Sequence, residues 1–186
     1  MKGLVDQNSA TAHGDIVGGN KLTIVNHQAQ LGFVGVLIKK LQTEVEKKVE
    51  IQHVIEKLQQ FQQYKSVSDG VIGLEAKLDK AGRSHEKDIA LETKEAFAKL
   101  LERWSLYPSA QEIFAHLLGR AVHEFTYSIS PKIGSLDESG INQLITDRVV
   151  TPTISECGTE TVDFSHAAAM GMIYWLAERC FVRWHK

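Results

Sequence analysis

Cysteine, proline and net charge are all scarce in this chain. The two cysteines among 186 residues, Cys157 and Cys180, are too few and too far apart for the disulfide framework of a small secreted domain. The three prolines, Pro108, Pro131 and Pro152, fall at breaks between periodic stretches. Basic and acidic residues number 21 and 23, a formal net charge of −2, which excludes a protein whose main task is neutralising phosphates. No apolar run comes near the ~20 residues that a membrane span requires; the longest is about Ala167 to Ala177. Met1 to Asn20 has no apolar h-region, so no signal peptide is expected and the cytoplasm is the expected compartment. With hydrophobic residues at 43% and charged residues at 24%, the composition is that of a folded globular chain rather than a disordered one.

Helical periodicity dominates what is present. Two short β-branched runs flank Gly18-Gly19-Asn20, and these turn residues predict a β-hairpin over Gly14–Val25 in an N-terminal arm, residues 1–30. Val34, Leu37, Ile38, Leu41 and Val45, then Ile51, Ile55 and Leu58 after a phase shift, predict one long amphipathic helix to about Tyr64 with a coiled-coil flavour. Ser66 to Gly70 breaks it. A short helix follows to Ala81 with Gly82 as its cap, and Ser84 opens another to Trp104. Ser109-Ala-Gln-Glu112 and Ser135-Leu-Asp-Glu138 both fit the capping box, each ahead of an apolar helical face. Thr151–Phe164 is expected to be an extended connection. Ser165 should cap a closing helix, whose small residues Ala167, Ala168, Ala169 and Gly171 would allow close approach to a neighbour. Cys180 to His185 is expected to form a short C-terminal strand or a docked tail. The fold class is therefore mainly α: a helical domain, residues 31–186, plus the arm.

Four clusters carry residue types that could support chemistry. Gly14-Asp15-Ile16-Val17-Gly18-Gly19-Asn20-Lys21 has the glycines of a phosphate loop, but Asn20 precedes the lysine and Leu22 stands where Ser or Thr is needed. Glu75-Ala-Lys77 and Glu92-Thr-Lys94, with Asp69 and Asp88 ahead of them, match the acidic-x-Lys triplet of Mg-dependent nucleases. That triplet works on a strand, where side chains two apart point the same way; on helices they diverge and become solvated faces. Cys157, His166, Cys180 and His185 are zinc-type ligands without the close spacing of a zinc site. His116 and His123, with Glu124, lack both a nucleophile and an orienting carboxylate. No catalytic, cofactor or metal residue is assigned.

Equipment for binding remains. Trp104, Tyr174, Trp175, Phe181 and Trp184 are anchor-sized aromatics, with Arg179 and Arg183 nearby. Trp175 reads as core, and Arg183-Trp184-His185 as either a docked tail or an interface. The Gly14–Lys21 stretch is similar to a G-D-I-V-x-G-D-K element of bacterial conflict and defence proteins, with Asn20 where Asp is usual. His166-x3-Met170-Gly171-Met172-Ile173-Tyr174-Trp175-Leu176, followed by Cys180-Phe-Val-Arg-Trp184, resembles the closing segment of accessory C-terminal domains in ABC-three-component systems. These are the Lamassu-like anti-phage and anti-plasmid systems.

The resemblance implies a complex of an SMC-like ABC ATPase that senses DNA, a nuclease-type effector, and a small accessory subunit. With no Walker motif, this chain resembles the accessory subunit, non-enzymatic and touching DNA only within the complex. The expected partner-contact residues are Asp15, Ile16, Val17, Lys21, Arg179, Arg183 and Trp184. Two alternatives stand beside this expectation. One is a small Mg-dependent nuclease using Asp69, Glu75 and Lys77; the other is a self-assembling helical scaffold held by the 34–64 helix.

Overall fold

The computed structural model describes residues 32–158, 161–162 and 164–185. In chain order the helices are α1 (Phe33–Glu46), α2 (Glu56–Gln62), α3 (Leu74–Lys80), α4 (Lys87–Trp104), α5 (Pro108–Glu124), α6 (Glu138–Ile145), α7 (Thr151–Cys157) and α8 (His166–Glu178). The predicted hairpin over Gly14–Val25 lies outside the described residues. Among the described residues there is no strand, only an isolated bridge between Ile133 and Leu136. Of the strand or docked tail expected at the C-terminus, the strand is not seen, and Cys180 to His185 form a docked tail without regular structure. None of the helices among the described residues is long and apolar enough to cross a membrane.

α8 is the axis. A helix that is apolar on nearly every side must be surrounded, and Met172 through Ala177 are all buried. Ser165 caps its start by accepting a hydrogen bond from the Ala168 amide, as expected. α4 lies along it at very short range, because Gly171 has no side chain. A Cβ built there would stand 2.1 Å from the Thr93 carbonyl oxygen. Phe97 of α4 packs edge-on against Phe114 of α5, Phe164 and Trp175, joining the central helices into one aromatic core.

Four expectations about elements need correction. The long helix over 34–64 is two helices. α1 ends with Lys48 in the left-handed region (φ 53°), where the Val49 amide donates back to the Glu44 carbonyl and the Lys48 amide to Val45. The chain then passes to α2, with the Ile51 amide bonded to Leu106 and the Ile55 amide to the Gln111 side chain. This interruption is the phase shift between Val45 and Ile51.

Neither capping box forms. Pro108 occupies the first position of α5 and moves Ser109 inside the helix; Ser109 instead donates from its hydroxyl and its amide to the Glu44 carboxylate of α1 (2.6 and 3.0 Å). Asp137, not Ser135, caps α6 by accepting from the Gly140 amide at 2.8 Å. Lastly, Thr151–Phe164 is not an extended connection throughout. A π turn over Thr146–Val150 links α6 to α7, and Pro152 sits early in α7, where a missing amide is tolerated.

Candidate functional site

The C-terminal tail closes over the loop before α3 and builds a half-open cavity against α6. It begins at Asp69, whose Oδ1 accepts the Val71 amide at 3.1 Å and so fixes the loop. Oδ2 accepts from Arg183 Nη1 (2.8 Å) and lies 3.0 Å from His185 Nε2. The Val71 amide, the His185 hydrogen bond and the Arg183 charge together hold the Asp69 carboxyl down at about 2. An ionised carboxylate only accepts, so Nε2 of His185 carries a hydrogen towards Asp69 and its Nδ1 faces the other way. That Nδ1 is buried and has no partner among the described residues, as is true of the indole Nε1 of Trp184.

Trp184 is docked rather than free, at 4% exposure. Its ring meets Phe125 edge-on and Tyr174 at a tilt, each with centroids 5.7 Å apart, and Arg83 lies over its face at 5.7 Å. Arg83 is itself buried. It forks onto Glu86 through Nε (3.1 Å) and Nη2 (2.8 Å), and Nη2 also donates to Asn142. Gly82, at φ 74°, makes this possible by turning the chain sharply out of α3. The cavity, about 480 Å³, is lined by Lys80, Arg83, Glu138, Ile141, Trp184 and His185 among others. A site of that size falls within the range for a small ligand or a partner's side chain. Its lining combines apolar side chains with the cations Lys80 and Arg83 and the carboxylates Asp137 and Glu138.

The structure separates the expected contact residues. Asp15, Ile16, Val17 and Lys21 lie outside the described residues. Arg183 and Trp184 both belong to the clamp just described. Arg179 is elsewhere: its guanidinium stacks 3.7 Å over the Trp175 ring, and burial depresses its pKa.

The nuclease trio does not assemble. Asp69 is occupied by Arg183 and His185, Glu75 is exposed on α3, and Lys77 is fully buried. The burial of Lys77 corrects the expectation of a solvated face, while Glu92 on α4 is exposed as expected. Among the described residues, the side chains close enough to share a cation are His85, Glu86 and Glu138. None of Asp69, Glu75, Cys157, His166, Cys180 and His185 belongs to that group. Glu86 is already held by Arg83, and Glu138 pairs with His85 at 3.1 Å. His116 pairs with Glu156, and His123 with its neighbour Glu124.

The α4–α8 contact, Arg83, Trp184 and all of the cavity lining but His185 lie within one stretch of sequence, with Asp69 just before it. The model of C-terminal domain 9 of the ABC-three component (ABC-3C) systems matches residues 73–184, more than half of the chain. The chain belongs to this family. The match starts at the glycine before α3 and ends at Trp184, so the ABC-3C domain comprises α3 to α8 and the tail, and α1 and α2 precede it. No curated protein and no solved structure matches the chain. Sequence reasoning reached the family through the α8 and tail residues. It missed Asp69 and Arg83 as architects of the cavity, because their partners are 114 and 59 residues away and no local pattern signals them.

Proposed function

We propose that this chain is a non-enzymatic accessory subunit of a bacterial anti-phage or anti-plasmid defence complex. It binds an SMC-like ABC ATPase and a nuclease-type effector in the cytoplasm. The family match over residues 73–184 carries the reading. The cavity between α3, α6 and the tail supports it as a contact point. Lys80, exposed at its rim, offers a donor to an acceptor group of a partner, and the exposed Leu136 adds apolar surface to the lining.

Co-expression with the ATPase and effector encoded beside it tests the proposal. The expected result is a complex that stays together through size-exclusion chromatography, and weakens when Lys80 is reversed to Glu. A chain that elutes alone from both partners would overturn it. Incubation with plasmid and Mg2+ should leave the DNA intact.

A self-assembling scaffold is a second reading, favoured by the exposed Phe33, Val36, Val45 and Val49 on and just after α1. Light scattering of the isolated chain separates the two, since the accessory subunit should be monomeric until its partner arrives.

A further inference from the structure

Lys77 has a role the proposed function does not require. Its side chain is 0% exposed, yet among the described residues no carboxylate is a partner. Nζ donates to the Ala177 carbonyl at 2.7 Å, to the Gly73 carbonyl at 3.3 Å and to Cys180 Sγ at 3.1 Å. All three ammonium hydrogens are placed, one of them on sulfur. A buried ammonium normally demands an anion beside it, yet the side-chain atom in contact here is the Cys180 sulfur.

The position of Cys180 is unusual as well. α1, α3 and α8 end in the same motif, with a left-handed residue and two backward amide bonds; in α1 that residue is the exposed Lys48. In α3 that residue is Gly82, the type for which the conformation carries no steric cost. In α8 it is Cys180, at φ 65°, with its amide donating to Ala177 and that of Phe181 to Leu176. A side chain costs stability there, and what it provides is a sulfur beneath Lys77. The two residues lie 103 positions apart, on α3 and at the end of α8.

We infer that Lys77 and Cys180 form a modification site, a covalent N–O–S bridge made by dioxygen. The reduced pair, thiol plus amine or the equivalent thiolate plus ammonium, reacts with one dioxygen. The S–H bond, one N–H bond and the O–O bond break, and S–O and O–N bonds form. One oxygen atom remains as the bridge, and the other leaves as water with the two displaced hydrogens. Sulfur and nitrogen each lose two electrons, and dioxygen accepts the four. Burial excludes competing thiols and holds the amine against the sulfur, so that oxidation ends in the bridge rather than in higher sulfur acids. Bridging ties the tail, and with it the Trp184 wall of the cavity, to α3.

Intact-mass spectrometry of the full chain, kept in air-saturated buffer and then treated with dithiothreitol, tests this. The bridged chain should be heavier by one oxygen and lighter by two hydrogens than the reduced one. Peptide mapping should join Lys77 to Cys180, and dithiothreitol should restore the reduced mass. C157S should keep the change; C180S and K77R, checked for folding by circular dichroism, should lose it. The bridged form should also melt several degrees higher than the reduced form. An unchanged mass in air would overturn the inference. So would whole oxygens added at Cys180 without a link to Lys77, or a disulfide between Cys157 and Cys180.

Discussion

At Gly171 the fit of the molecule comes down to one missing methyl group. The contact of the Thr93 carbonyl with that position involves two helical backbones, neither of which can yield as a flexible side chain would. Gly171→Ala must therefore push α8 away from α4 along the most intimate interface in the fold. The expected loss is about 3 kcal/mol or more, read as a lower midpoint in chemical denaturation. Ala169, also fully buried, should tolerate Gly far better, at a cost of about 1 kcal/mol from helix propensity and lost burial. Gly171 is legible in the sequence, because a run of small residues on an otherwise bulky helix marks a close approach of backbones. Lys77 is not. Glu75 and Lys80 on the same short helix are exposed, and only the fold shows that the lysine between them turns inward under α8.

Gln111 sets the path of the segment between α1 and α2. It is fully buried, its Oε1 accepts the Ile55 amide at 2.6 Å, and its Nε2 donates to the carbonyls of His53 (3.0 Å) and Ser105 (2.6 Å). Three backbone groups that no helix satisfies are met by one side chain. Gln111→Leu keeps the volume but strands all three, so it should cost about 2–4 kcal/mol, and amide exchange over residues 49–55 should accelerate more than in α8. The break itself is visible in the sequence as a lost phase at Ile51. Its anchor is hidden there, because Gln111 reads as a helix-surface residue beside a serine with the spacing of a cap.

The tail obeys similar long-range logic. Asp69 is ionised in the fold down to about 2 and has a usual value near 3.8. A depressed carboxyl contributes fully above its unfolded value and loses that contribution as pH falls through the folded one. Exchange protection of Val182 to His185 should therefore hold steady near neutrality and fall between pH 4 and 2. Asp69→Asn should bring the opened tail to neutral pH. Unchanged protection in that variant would show that Trp184 packing alone holds the tail.

At the scale of the whole molecule, burial in the core disfavours the charged forms of Cys157 and Tyr174. Burial is the main cause that pushes the Cys157 thiol up to about 12, from a usual value of 9.0, with Glu156 adding to it. Burial likewise raises the Tyr174 phenol to about 12 from 10.0, helped by the nearby Glu86 charge against the opposing Arg83. Both groups are neutral when protonated, and both lose their proton sooner in the unfolded chain. Their contribution is complete below pH 9 and disappears as the pH climbs towards 12. Urea midpoints should thus stay level through neutrality and decline above pH 9. Cys157→Ser with Tyr174→Phe should flatten that decline while lowering stability at pH 7. Cys157 closes α7, and Tyr174 lies within α8 beside the Arg83–Glu86 pair. A shared alkaline decline, detected equally by Trp184 fluorescence in a Trp104→Phe, Trp175→Phe chain and by helical circular dichroism, would mean that cavity, tail and central helices unfold as one unit. An earlier fluorescence change would mark the tail as separable. The tail could then open toward a partner while α4 and α8 stay packed.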